Sequence, residues 1–121
     1  MSVDTATPVL VCRLEDLSLE RGVAALVGGE QVALFRVSGD EVLAVQQRDP
    51  FTGVHVMSRG LVGTRADRLT VASPLHKQVF DLRTGECLDA AGAEPRPLAV
   101  WAVTVDPDGG VRVSSMPRGG H

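Results

Sequence analysis

Apolar residues along this chain come in short runs, set apart by glycine, proline and aspartate, and almost never at helical spacing. Val9-Leu10-Val11-Cys12 suits a strand, and Leu14-Glu15-Asp16-Leu17 a single turn. Val23–Val27, a Gly28-Gly29 turn and Gln31–Val37 form a hairpin. Ser38-Gly39-Asp40 turns the chain again into Glu41–Val45, which completes a three-stranded meander. Leu69–Ala72 is a strand, and Gln78–Asp81 and Glu86–Leu88 flank a turn at Thr84-Gly85. Val100–Val105 alternates cleanly, and Asp106–Gly110 turns it back into Val111–Val113, which predicts a final hairpin. The pattern predicts an all-β domain of small antiparallel sheets and hairpins.

Two stretches break the rhythm. Residues 46–68 hold Asp49-Pro50, Thr52-Gly53, Arg59-Gly60 and Gly63 with few consecutive apolar positions, and read as a long segment without clear structure. Such a segment in a small domain is usually functional. Residues 89–97 are a Gly/Pro-rich connector. Two loops, near 49–60 and 73–77, are expected to project from the sheets. Residues 1–8 read as a flexible lead, 9–115 as the domain and 116–121 as a frayed tail.

Composition narrows the function. At 121 residues and 44% apolar content the chain suits one globular domain with a modest core. It has no long apolar run and no basic, apolar leader, so the cytoplasm is the expected location and no membrane partner is expected. A net charge of −3 argues against nucleic acid as a partner. The charge is uneven: residues 48–83 carry six bases against three acids. This excess suits either solvated loop arginines or a basic face for an acidic partner protein, with Arg48, Arg59 and Lys77 as docking candidates. Cys12 and Cys87 are far apart and in no metal-ligand spacing, and are expected to be reduced and buried.

The chemistry centres on two proline-bearing turns. Pro50 and Pro74 hold the backbone just after Asp49 and Ser73, and His76 follows Ser73 at a spacing that lets both side chains face one small cavity. A hydrolase built on Ser73 and His76 lacks a nucleophile elbow and an acidic orienter. A metal held by His76 with Asp49 or His55 has too few ligands to be favoured.

The run Ser73-Pro74-Leu75-His76 through Thr84-Gly85 resembles the second cluster loop of a Rieske domain, and Asp49-Pro50-Phe51 stands where such a domain has Cys-Pro-His. The resemblance covers about Cys12 to Ser115. A Rieske centre holds one iron on two cysteines and the other on two histidines. By that likeness Asp49, Phe51, Ser73 and His76 are vestigial cluster-loop positions, and only His76 is a ligand type. Oxygen donors substitute poorly for thiolates, and Phe51 is expected to pack inward and fill the site. The strings Ala33–Arg36, Arg48–Phe51, Met57–Gly63 and Val71–Phe80 through Cys87-Leu88 resemble the small-subunit family of assimilatory NAD(P)H-dependent nitrite reductase. That resemblance implies a non-catalytic subunit with no cofactor, metal or catalytic residue of its own. It also implies a large-subunit partner that carries FAD, an iron–sulfur cluster and sirohaem and reduces nitrite to ammonium. The alternatives are a Rieske-type [2Fe-2S] electron-transfer module and a general β-sheet interaction module.

Overall fold

A computed structural model of the chain describes residues 8–117. Among these residues eleven strands make three antiparallel sheets, with two short 3₁₀ turns between strands. The strands are β1 (Pro8–Arg13), β2 (Gly22–Val27), β3 (Glu30–Ser38), β4 (Glu41–Gln46), β5 (Leu61–Arg65) and β6 (Arg68–Ala72). They continue with β7 (Val79–Asp81), β8 (Cys87–Asp89), β9 (Val100–Trp101), β10 (Val103–Val105) and β11 (Gly110–Ser114). The first sheet runs β1-β11-β10, the second β2-β3-β4-β9 and the third β5-β6-β7-β8.

The second sheet is the middle layer, because successive side chains of a strand point to opposite faces. Val32 and Leu34 of β3, with Val42 and Ala44 of β4, meet Val111 and Val113 in one core cluster. Ala33 and Phe35, with Val45, meet Met57, Val71 and Phe80 in the other. The unbroken run Val32-Ala33-Leu34-Phe35 therefore belongs to a strand buried on both faces, and all four residues are buried.

The meander, the Leu14–Asp16 turn and the Thr84-Gly85 hairpin lie where the pattern placed them. Three readings change. Val100–Val105 is two strands: β9 pairs with β4 while β10 pairs with β11, so the chain changes sheets at the exposed Ala102. Strands that switch sheets turn corners in this way, and alternation continues across the corner. The segment 46–68 holds a 3₁₀ turn at Met57–Arg59 and all of β5. β5 escapes a pattern search because Val62 is its only partly buried residue. Pro8 lies in β1, paired with Ser114, rather than in a lead. The rest of the expected lead and tail, 1–7 and 118–121, lies outside the described residues.

Candidate functional site

Three six-residue loops, 49–54, 73–78 and 81–86, share one backbone pattern. In each, the first N–H donates to the sixth carbonyl and the fifth N–H donates back to the first. These bonds join Asp49 to Val54 and Gly53, Ser73 to Gln78 and Lys77, and Asp81 to Glu86 and Gly85. The fifth residue has positive φ each time: 82° at Gly53, 63° at Lys77 and 81° at Gly85. In each loop the first side chain accepts the N–H of the third residue: Asp49 Oδ1 from Phe51, Ser73 Oγ from Leu75 and Asp81 Oδ1 from Arg83. The fold thus fixes the first side-chain atom of each loop with backbone donors. The sequence marks the third loop only as a turn at Thr84-Gly85 and not as a counterpart of the other two, although the spacing Asp-x-x-x-Gly at 49–53 recurs at 81–85.

The first two loops face each other. Ser73 Oγ donates to Asp49 Oδ2 at 2.5 Å, and the two residues are only 1% and 0% exposed. A buried polar pair of this kind holds only when its atoms find partners, and each does here. Gln47 supports the first loop from below. Its carbonyl accepts the N–H groups of Val56 and Met57, and its Oε1 accepts that of Ser58 at 2.7 Å.

Phe51 is half-buried rather than enclosed. Its ring lies 6.2 Å from that of Phe80 at 42°, at the margin of the second core cluster. His76 is exposed at the loop tip, so the expected shared cavity with the buried Ser73 does not form. Cys12 and Cys87 are unbridged and half-buried in the core margins, outside the loops. Burial, with Asp16 nearby, pushes the Cys12 thiol up. Among the described residues, no group of three or more His, Cys, Asp or Glu is gathered as a metal site.

The charges of 48–83 divide cleanly. Arg65 pairs with Asp89, Arg68 with Asp81 and Glu86, and Arg83 with Glu41. Arg48, Arg59 and Lys77 are exposed and take part in no ion pair among the described residues. The hydrogen bond from Arg83 holds the Glu41 carboxyl below its usual range, and the same bond pushes the Arg83 guanidinium up.

Residues 8–114 match the family model of Rieske-like [2Fe-2S] domains. The NADH nitrite reductase small subunit of Escherichia coli is 46% identical over 80 residues, 65% of this chain and 74% of that protein. The NAD(P)H nitrite reductase large subunit of Klebsiella oxytoca is 38% identical over 96 residues, 79% of this chain and 10% of that protein. Among solved structures, an NADH-dependent nitrite reductase small subunit from Mycobacterium tuberculosis superposes with a TM-score of 0.84 at 40% identity. It covers 93% of this chain and 98% of that one. The ferredoxin of carbazole 1,9a-dioxygenase from Nocardioides aromaticivorans gives 0.77 at 28% identity, over 92% and 100% of the two chains.

The family description and the ferredoxin overturn the expectation that this chain has no cofactor, since an iron–sulfur cluster is the group its family is described by. The loop side chains are a poor match to that group. Asp49 and Ser73 present oxygens already bonded to each other, Phe51 has no donor, and His76 is one imidazole where two thiolates and two imidazoles are needed. By its matched span and its identity to these relatives, the chain belongs to the Rieske-like [2Fe-2S] domain family and, within it, to the nitrite reductase small subunits.

Proposed function

We propose that this chain is the small subunit of an NAD(P)H-dependent nitrite reductase, which reduces nitrite to ammonium, and that it acts by binding the large subunit. The observation that carries this reading is the Klebsiella oxytoca large subunit, where a stretch similar to most of this chain is part of the large protein itself. Joining two modules in one polypeptide raises their effective concentration for each other, which suits modules that work in contact. The large subunit then carries FAD, an iron–sulfur cluster and sirohaem, and the isolated small subunit turns over no nitrite. A reducing cytoplasm suits its two unbridged cysteines.

Docking falls to the end of the domain that bears the two facing loops. Among the described residues, Arg48, Arg59 and Lys77 are the bases of that region without an acidic partner, which suits them to carboxylates on another protein. The test is nitrite-dependent NADH oxidation by the large subunit with and without this chain, together with their co-sedimentation. Activity or stability that rises with this chain supports the reading. Unchanged activity and no complex would remove it.

A second reading, electron transfer through a bound cluster, is favoured by the likeness to the dioxygenase ferredoxin. Iron and acid-labile sulfide measured on the anaerobically purified chain separate the two. Stoichiometric iron and sulfide favour electron transfer.

A further inference from the structure

We infer that β2 is a docking edge for a second copy of this chain, paired antiparallel about Ala24. Sheet edges carry unpaired backbone groups, and proteins blunt them with charge, proline, bulges or short strands. Among the described residues, five of the six edge strands show such a device. β1 begins at Pro8 and has a register shift, and β8, β9 and β10 are two or three residues long. β5 contains Gly63 and ends at Arg65. β2 alone runs six residues, Gly22-Val23-Ala24-Ala25-Leu26-Val27, with no charge, no proline and an unbroken register against β3.

Gly28 and Gly29, both at positive φ, make a two-residue turn, so Val27 and Glu30 form a hydrogen-bonded pair. Alternation along the ladder then turns the N–H and C=O groups of Leu26, Ala24 and Gly22 away from β3. Among the described residues these outer groups meet no hydrogen-bond partner.

The side chains of this strand complement their own reverse. With Ala24 opposite Ala24 of the second copy, Leu26 lies opposite Gly22 and Val23 opposite Ala25. Each large residue thus meets a small one, and no like charges oppose each other. Leu26 is 69% exposed and Val23 39%. Gly22 packs against the Ser58 carbonyl, beside an open cavity of about 500 Å³ whose lining joins Gly22, Val23 and Leu61 to the charged Glu20, Arg21 and Arg59. Leu26 of the second copy comes to the mouth of that cavity and covers Leu61, which is 79% exposed. The two-fold axis repeats the contact. A contact built on so few residues buries less than the roughly 800 Å² per partner of a standard complex, so the dimer is reversible.

The test uses the full chain, without the large subunit, in sedimentation equilibrium up to about 1 mM, a range that covers weak association. Amide exchange is read at low and high concentration, and then in a separate sample with the large subunit added. A concentration-dependent dimer is expected, with the Ala24 and Leu26 amides slowed and that of Ala25, already bonded to β3, unchanged. Leu26→Lys, at an exposed position, should weaken dimerisation by more than about tenfold. Ala24→Pro removes an outward N–H and should do the same, whereas Leu10→Lys on β1 should leave the dimer intact. A chain that stays monomeric throughout overturns the inference, as does a dimer that survives both β2 variants. Edge amides that slow only when the large subunit is added overturn it too, and assign the edge to a strand of that protein.

Discussion

Ser73 and Asp49, 24 residues apart in sequence, share a buried hydrogen bond of 2.5 Å that ties the two facing loops together. Each is also the residue that organises its own loop, so this one contact couples two local structures. Ser73→Ala leaves a buried carboxylate oxygen without its donor and should cost about 1–3 kcal/mol. The double variant with Asp49→Val should cost less than the sum of the two single changes, by about 1 kcal/mol or more. Urea midpoints of the four proteins measure this. Additive losses would show that the loops are independent.

The fifth position of each loop should respond according to its surroundings. At Gly85 an added Cβ would lie 2.0 Å from the Leu98 carbonyl oxygen, at a φ of 81°. Gly85→Ala should therefore cost more than about 2 kcal/mol. At Gly53 the Cβ meets only the end of the Arg48 side chain, so Gly53→Ala should cost about 1 kcal/mol, from the positive φ alone. Lys77→Gly relieves a left-handed residue and should change stability by less than about 1 kcal/mol, towards stabilisation. Thermal melts rank the three, and an equal response at 53 and 85 would contradict the packing at Leu98.

Phe51 should behave as a half-buried ring. Phe51→Ala loses part of an aromatic burial and the contact with Phe80, about 1–2 kcal/mol. Phe51→Leu should recover most of it. Chemical denaturation compares them, and a loss above about 4 kcal/mol would mean a fully enclosed ring.

Reversing Arg48, Arg59 and Lys77 to Glu should weaken assembly with the large subunit, with little effect on folding, because none of the three has an ion-pair partner among the described residues. The loss should shrink as salt rises towards about 1 M, where the Debye length falls to about 3 Å. Binding isotherms at two salt concentrations test it. Assembly equal to wild type places the interface elsewhere.

Glu41 and Arg83 join the β3–β4 turn to the third loop. The folded Glu41 carboxyl is held below its ordinary value of 4.5 by the hydrogen bond from Arg83. A lowered acid contributes stability above its unfolded value and loses it as pH falls through the folded one. The pair is exposed, so its contribution should be below about 1 kcal/mol. Glu41→Gln should lose this contribution at neutral pH, flatten this part of the stability profile and converge with the wild type well below pH 4.5. An unchanged profile would mean that solvent screens the pair completely.

Much of this protein is written locally. The Gly28-Gly29 turn, the Ser38-Gly39-Asp40 turn and the apolar runs around them specify β2 to β4, because turn chemistry and side-chain alternation act over a few residues. Asp49-Pro50-Phe51 and Ser73-Pro74-Leu75-His76 mark the two loops and the family in the same way. Other features have no local signature. β5 is a strand because β6 lies beside it, not because its residues are apolar. The chain changes sheets at Ala102 because β4 and β11 offer two different edges to one alternating run. The pairing of β1 with β11 joins opposite ends of the sequence. The loop chemistry was likewise only half legible: residue types identified the family positions, while the Asp49–Ser73 bond, the exposed His76 and the half-buried Phe51 required the loops to meet. Short-range propensity is a property of neighbouring residues, whereas which edges pair and which polar atoms are buried together depends on the whole chain closing around two cores.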